Sequence, residues 1–513
     1  MLQITNLIKK GPITCAHLLR QSRHKSKTHW AKLRKKTGPK YKAMNHFDEF
    51  YGSVFGKKWD PMKRALLQGP KYVAVINNYG DAEETMEYLT NRGAHCLKKL
   101  ITVQEDFHKQ YSMNTLTSDQ EAPVYINKLQ QLAEKTHSDE ISSIYPNTDN
   151  KPERLDFKDD DQISERKEIT EQKEPINKSL DQAIADAVID ESRMIDPSIG
   201  LTSEALYQYL PATKLKGMND WVPESTHYSY YSKIVDFPLT IEPETELQYP
   251  EHLKVFTYEM DSELKMFPEP KRSQTGVFNY YPMDCGSVLA VLALGLRAGD
   301  RVLDLCSAPG GKALVALQTL LPDVVICNDV SISRSNRTQR IFSDYLFDFE
   351  TGNKWRERVI FKRVDGRMFT DDHGFDKVLV DVPCTTDRHS VTEDDNNIFR
   401  PDRVKERLKI PELQSHLLAN ALRLTKVGGT VVYSTCSLSP IQNDGVVHMA
   451  LKQVFESNDI IATVVDLTPA VAGLSSTLTL GAGAAAPKYG QLVTPSLSAN
   501  FGPSYIAKLL RIK

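Results

Sequence analysis

Two short segments each place a cysteine just past an apolar run: Val380-Asp381-Val382-Pro383-Cys384-Thr385-Thr386-Asp387-Arg388-His389-Ser390 and Val432-Tyr433-Ser434-Thr435-Cys436-Ser437-Leu438-Ser439. A thiolate is a strong nucleophile and a usable proton acceptor, so two thiols on one edge suit covalent catalysis. Taken singly, either cysteine reads equally well as a small buried apolar side chain. A third segment, Val302-Leu303-Asp304-Leu305-Cys306-Ser307-Ala308-Pro309-Gly310-Gly311-Lys312, runs a strand into a Gly-Gly turn and then an apolar helix over 314–321. Such a turn lets backbone approach a ligand closely and aims a helix N-terminus at it. It lacks the GxxxxGK[ST] form that cradles a triphosphate, which disfavours nucleotide hydrolysis.

Acids complete the pattern. Asp304, Asp329, Asp365 and Asp381 each close or nearly close an apolar strand, so all four converge on the carboxyl edge of a sheet, where open α/β sheets bind ligands. Asp329, about twenty residues past the glycines, is spaced to accept ribose hydroxyls, and Asp365, followed by Gly366, to accept from an adenine amino group. Each acid alone reads also as a helix cap; the four together favour a neutral or cationic adenosyl ligand. Cys306 and Cys327 fall within or at the ends of strands and are read as core. No CxxC or paired His accompanies the cysteines, so no metal site is expected.

The elements that must position these residues follow from the pattern after Val255, where short apolar runs alternate with amphipathic helices. Candidate strands are 301–306, 324–328, 359–364, 377–380, 430–433, 461–465 and 505–510. The fold class is α/β, a doubly wound Rossmann-like domain over 251–513, with a small N-terminal domain over 41–110 that includes a possible strand at 72–76. Between residues 111 and 200 there are 20 acidic and 10 basic residues, few aromatics and no sustained period. Chain entropy exceeds what such a stretch can bury, so 111–250 reads as a mostly disordered acidic insert, with aromatics returning among prolines after Leu206 in a form suited to extended docking. The Gly/Ala-rich piece 481–486 reads as a loop.

At 513 residues the chain exceeds one typical domain, and no run of about 18 apolar residues suggests a membrane span. Seven scattered cysteines indicate free thiols rather than a disulfide framework. Before Asp48 there is no acid and there are twelve Lys and Arg, the composition of a mitochondrial transit peptide over 1–40 or of a basic nucleic-acid-binding arm.

With Pro383-Cys384 and Thr435-Cys436 as its two cysteine motifs, the chain resembles the Nop/Sun family of S-adenosylmethionine-dependent RNA cytosine-5 methyltransferases. Within that family it is most similar to the mitochondrial ribosomal-RNA member, through 381–390, Asn396-Asn397-Ile398-Phe399, 433–439 and Asn500-Phe501-Gly502-Pro503. The resemblance covers roughly 255–513, and more weakly 45–78; residues 111–249 find no counterpart in it. It implies that Gly310, Gly311 and Lys312 hold the methionine part of S-adenosylmethionine, Asp329 the ribose, Asp365 and Gly366 the adenine, with Arg334 also at the cofactor site and Asp381 between cofactor and base. It further implies that Cys436 is the nucleophile and that Cys384 helps release the product. From spacing alone the two cysteine roles are interchangeable.

The chemistry is sound on general grounds. C5 of cytosine is a poor nucleophile, and a thiolate adding at C6 makes C5 an enamine-like carbon able to attack a sulfonium methyl. A carboxyl near N3 and the 4-amino group, the role given to Asp381, stabilises that adduct, and a base then removes the C5 proton. The target base must leave its stack to reach such a pocket. The implied activity is 5-methylcytosine formation in mitochondrial small-subunit ribosomal RNA, in the mitochondrial matrix, with mitoribosomal assembly intermediates and a helical-repeat, termination-factor-like protein as partners and no membrane. Two alternatives stand: an assembly factor in which binding is primary and methylation secondary, and a transfer RNA methyltransferase. Without the twelve basic residues before Asp48 the formal charge of -2 becomes -14, so free-standing RNA affinity is expected to be modest. The basic run Arg400, Arg403, Lys405, Arg407, Lys409 reads either as an RNA path or as a solvated helix face.

Overall fold

The computed structural model describes residues 38–104, 237–260, 262, 266–481 and 486–513; the basic segment before residue 38 and most of the acidic insert lie outside them. Helices α1 (Pro39–Phe55) and α2 (Trp59–Leu66) lead into β1 (Val73–Ile76), α3 (Ala82–Asn91) and β2 (His95–Cys96). After the insert come β3 (Ile241–Pro243), β4 (Val255–Thr257), β5 (Tyr280–Met283) and α4 (Cys285–Ala293). The α/β repeat follows as β6 (Arg301–Asp304), α5 (Gly311–Gln318), β7 (Val324–Asn328), α6 (Ile332–Tyr345), α7 (Lys354–Arg358), β8 (Val359–Lys362), β9 (Phe375–Asp381) and α8 (Asp387–Thr392). It closes with α9 (Val404–Leu424), β10 (Thr425–Thr435), α10 (Val446–Asn458), β11 (Ala462–Asp466), β12 (Gln491–Val493) and β13 (Ser504–Arg511).

The large sheet runs β3-β11-β13-β10-β9-β6-β7-β8, with β12 paired to β13. Strands β10, β9, β6, β7 and β8 are mutually parallel, and β13 is antiparallel to both of its neighbours on this path. This is the doubly wound arrangement, with its order reversing between β6 and β9, and the expected strands all appear within a few residues. The β-period of two sorts the side chains into layers. Leu303, Leu305, Val378, Val380, Val431 and Tyr433 share one core with α9 and α10, while Val302, Val325, Leu379 and Val432 share the other with α4, α5 and α6.

Helices α1 and α2 pack into the core of the large sheet. Phe47, Tyr51, Phe55 and Trp59 belong to the same buried cluster as Leu303 and Val431. A four-stranded sheet, β2-β4-β1-β5, takes two strands from each side of the insert, pairing β1 antiparallel to β4 and β5. Ile241–Pro243, within the stretch read as insert, pairs with β11 of the large sheet, and Glu244 meets Lys508 of β13 at 2.6 Å. The chain near residue 250 therefore serves both sheets.

Arg388 of α8 pins these parts together. Its guanidinium donates to the carbonyls of Ala65 (3.0 Å) in the last turn of α2 and Gln68 (2.9 Å) just beyond it, to Gly502 O (2.8 Å) and to Asn500 Oδ1 (2.9 Å) before β13. The planar fork matches acceptors lying in several directions, which an ammonium cannot do. Orphaned part-buried carbonyls cost about 1–3 kcal/mol each. Arg388→Ala should therefore lower stability by about 2–4 kcal/mol, read as a drop in the urea midpoint, and Arg388→Lys should recover less than half of it. An unchanged midpoint in Arg388→Ala would refute this role.

Candidate active site

The strand register gathers the expected residues. In the parallel β9–β10 pair Asp381 lies opposite Ser434, so the residues three past the one and two past the other, Cys384 and Cys436, leave the sheet at one height. Their sulfurs lie 2.8 Å apart. Cys384 Sγ also accepts from the backbone N–H of Thr386 and of Cys436, each at 3.4 Å. Cys436 is exposed and Cys384 half-buried, so the pair opens outward. Sharing a proton with Cys384 holds the Cys436 thiol well above the usual thiol range. The turn between the thiols and α8 is tight: Thr386, a β-branched residue, sits at φ +44°.

On the other side of β9, Lys312 Nζ meets Asp381 Oδ2 at 2.7 Å, and Ser434 Oγ donates to Asp381 Oδ1 at 2.8 Å. Burial opposes the lysine's charge, but Asp381 more than offsets it and the ammonium is favoured. Asp304, level with Leu379 in the β6–β9 register, is 1% exposed, and among the described residues neither of its carboxyl oxygens has a hydrogen-bond partner. Burial, with the Asp381 charge beside it, pushes its carboxyl up to about 8.

The Gly-Gly turn is built as its spacing implied. Gly310 caps α5 at φ +106°, where a side chain would strike Thr338 at 2.6 Å, and a Cβ on Gly311 would lie 3.0 Å from Met283 of β5. The turn has no room on its protein side, so its backbone is free only toward the edge. Asp329 is buried; it accepts from Ser331 N at 2.9 Å and lies 3.5 Å from Arg334, whose guanidinium also donates to Ala308 O. Asp365 stands apart: it pairs with Arg367 at 2.6 Å on an exposed loop, which holds its carboxyl below the usual range. Gly366 packs so closely that a Cβ would meet Leu417 at 2.7 Å. Cys327 is fully buried, and Cys306 is half-buried and packed against the core.

Three features of the edge escaped sequence reasoning. Asn328 donates to Leu305 O and Val364 O and accepts from Val364 N, tying together the loops after β6 and β8; its only signal was a polar residue inside the apolar run 324–328. Val330 and Ile332, 66% and 62% exposed, present apolar surface beside Asp329, and exposed single apolar residues carry no sequence signal of their own. Two members of the basic run are compensated locally, Arg400 by Asp402 and Arg403 by Glu406, and Arg407 lies 4.4 Å over Phe399.

These observations fit an adenosyl ligand bearing positive charge. A crowded glycine turn admits backbone contact only on the open side, a carboxylate is spaced for a ribose, and a buried carboxyl without partners has unmet capacity for a cation. Lys312 follows the glycines but is paired with Asp381, and Ala313 stands where a triphosphate-binding turn carries a hydroxyl.

Comparison with known proteins agrees. The family model for 16S rRNA methyltransferase RsmB/F matches residues 291–480. The chain is 33% identical over 503 residues to the 5-cytosine rRNA methyltransferase nsun-4 of Caenorhabditis elegans, covering 95% of this chain and 96% of that one. That match thus runs across the segment that the resemblance left without a counterpart. Against the 5-cytosine rRNA methyltransferase NSUN4 of Mus musculus the identity is 43% over 275 residues, 53% of this chain and 70% of the mouse protein. A mitochondrial tRNA (cytosine(34)-C(5))-methyltransferase of Danio rerio is 33% identical over 52% of this chain and 72% of its own. Among solved structures, NSun6 from Pyrococcus horikoshii with SFG aligns with a TM-score of 0.36 at 23% identity, over 46% of this chain and 54% of that one. Two cysteine motifs beside a glycine turn and a near-full-length relative together place the chain in the RsmB/F (Nop/Sun) family of S-adenosylmethionine-dependent RNA cytosine-5 methyltransferases.

Proposed function

We propose that this enzyme forms 5-methylcytosine in small-subunit ribosomal RNA of the mitochondrion through a covalent thiol adduct. The observation that carries the reading is the thiol pair, 2.8 Å between sulfurs, beside Asp381 at the sheet's reversal point. S-adenosylmethionine, when bound, supplies an electrophilic sulfonium methyl. Gly310, Gly311, Lys312, Asp329, Arg334, Asp365, Gly366 and Asp381 are the residues assigned to hold it, and Asp304 joins them as an acceptor without a partner.

Cys436, the more exposed thiol, adds to C6 of the flipped cytosine, its proton passing through the Asp381 carboxylate to N3 and returning by the same route when the sulfur–C6 bond breaks. Asp381, fixed by Lys312 and Ser434, faces the base at N3 and the 4-amino group and stabilises the adduct. Once C5 is methylated its proton must leave, and Cys384 Sγ, already an acceptor toward two backbone N–H groups, takes it. The Cys436 sulfur–C6 bond then breaks and the thiol is restored.

Location and partners rest on other features. The acid-free basic stretch before Asp48 supports import into the mitochondrial matrix. The pairing of Arg400 and Arg403 with neighbouring acids supports weak free-standing RNA binding. That weakness agrees with delivery by a helical-repeat, termination-factor-like partner and with action on mitoribosomal assembly intermediates. The similarity to a relative named for tRNA keeps transfer RNA as the competing substrate.

Two outcomes test the reading. With labelled S-adenosylmethionine and mitochondrial small-subunit RNA, wild type should transfer methyl groups and Cys436→Ala should fall by at least 10³-fold, as expected for loss of a nucleophile. Cys384→Ala should accumulate a protein–RNA adduct on a denaturing gel; an adduct in Cys436→Ala instead would exchange the two roles, and transfer to tRNA alone would change the substrate. The second outcome is pH dependence of cofactor binding. Asp304, raised to about 8, is protonated below that pH, and a cationic ligand favours its carboxylate form. Affinity should therefore rise as pH increases from 6 to 8, by up to about tenfold per unit, and level off above. Calorimetric titration should show this slope in wild type and lose it in Asp304→Asn; a flat wild-type profile removes Asp304 from the ligand set.

A further inference from the structure

Behind the thiol pair, facing away from the open edge, lies a buried polar cluster that the reaction as described does not use. Asp387 is fully buried at the start of α8. Its carboxylate accepts from Tyr51 Oη at 2.6 Å, Thr385 Oγ1 at 2.5 Å, Ser437 Oγ at 3.1 Å and Leu438 N at 2.7 Å. Thr385 is the residue after Cys384 and Ser437 the residue after Cys436, so a single carboxylate holds the neighbour of each thiol. The two hydroxyls also meet each other at 3.0 Å, and Asp387 N donates to Cys436 O. Gln442 closes the cluster, accepting from Thr385 N and donating to Thr385 Oγ1.

Such a group is costly for stability alone. Burial pushes the Asp387 carboxyl up, and only its four donors draw it back down. An apolar residue of similar size commonly serves a core as well as a buried charge does. What an apolar residue cannot do is fix two loops from different strands at a set distance. Tyr51 is the donor from farthest away in the chain, on α1, where Phe47, Phe55 and Trp59 pack around its ring. Its hydroxyl is its one polar group, and it is spent on Asp387.

We propose that Asp387, oriented by Tyr51 of the N-terminal helix, is a positioning residue that sets the separation of the Cys384 and Cys436 sulfurs, and with it the balance between forming and releasing the RNA adduct. The inference rests on the covalent reading above. Of the two thiols, adduct formation uses Cys436 alone, whereas release needs Cys384 within reach of a base already attached to Cys436. A displacement near 1 Å in such a constellation costs on the order of 10²-fold in rate. Loosening the cluster therefore slows release before it slows attack.

Tyr51→Phe keeps the ring and removes the hydroxyl; Asp387→Asn keeps the shape and removes the charge. In the full-length protein with RNA substrate, Tyr51→Phe should reduce kcat about tenfold and Asp387→Asn about 100-fold, with KM for S-adenosylmethionine unchanged. Both should raise the steady-state fraction of trapped protein–RNA adduct above wild type, in the direction of Cys384→Ala. Loss of structure alone would lower adduct and turnover together and raise KM. Wild-type kcat and adduct level in Tyr51→Phe would overturn the proposal, as would a fall in kcat matched by equal falls in adduct and cofactor affinity. A wild-type enzyme that forms no adduct would instead overturn the covalent reading on which this one stands.

Discussion

The register of one parallel strand pair governs this site. Because Asp381 of β9 lies opposite Ser434 of β10, the acid, the hydroxyl that orients it and the two cysteines just beyond leave the sheet together. A slip of one residue would turn every side chain of β10 to the opposite face. Tyr433 would leave the core it shares with Val380 and Val431, and its neighbour Val432 would leave the opposite core. The apolar alternation that makes the sheet fold is thus the same constraint that aligns its reactive edge. The loops beyond the strand ends carry that alignment to the two thiols.

Those loops are held from behind by the N-terminal helices. Tyr51 reaches the cysteine loops through Asp387, and Arg388, the next residue, gathers carbonyls from the end of α2 and from the turn before β13. Neighbouring residues of one short helix thus bind in two directions, toward the thiols and toward the chain ends. The small sheet contributes from the other flank, where Met283 of β5 crowds the glycine turn at Gly311. The site is therefore bounded by segments more than 200 residues apart in the chain, on either side of the insert. That insert can vary in length at little cost to this arrangement, since loop entropy grows only slowly with length.

Much of this was legible in the residues. Strands of continuous apolar type ending in Asp, a glycine pair, and two cysteines each just past a strand are local signals, and local signals suffice for α/β order and for the edge on which the groups gather. What sequence did not reveal depends on contacts at long range. Asn328 looks like a strand residue until its side chain is seen to tie two other loops. Tyr51 looks like one more core aromatic, because its helix periodicity accounts for its ring and says nothing of its hydroxyl. Asp365 was legible as an acid at a strand end, but Arg367, two residues on, claims it in this conformation. In the basic run over 400–409, Arg400 and Arg403 are taken up by i,i+2 and i,i+3 pairs, a pattern present in the residues but ambiguous without the helix start.

Electrostatics at the reversal point explains why so many acids gather there without mutual disruption. Three carboxyl groups converge: Asp381 is matched by Lys312 at 2.7 Å and Asp329 by Arg334 at 3.5 Å, while Asp304 has no cation of its own. In a medium that screens poorly, the third charge is resisted by the other two, and the site yields by keeping Asp304 protonated up to about 8. A ligand rich in phosphate would add to that repulsion. Under the proposed function, a ligand bringing positive charge to this edge relieves the repulsion, which favours a cationic adenosyl group over a phosphate-rich one.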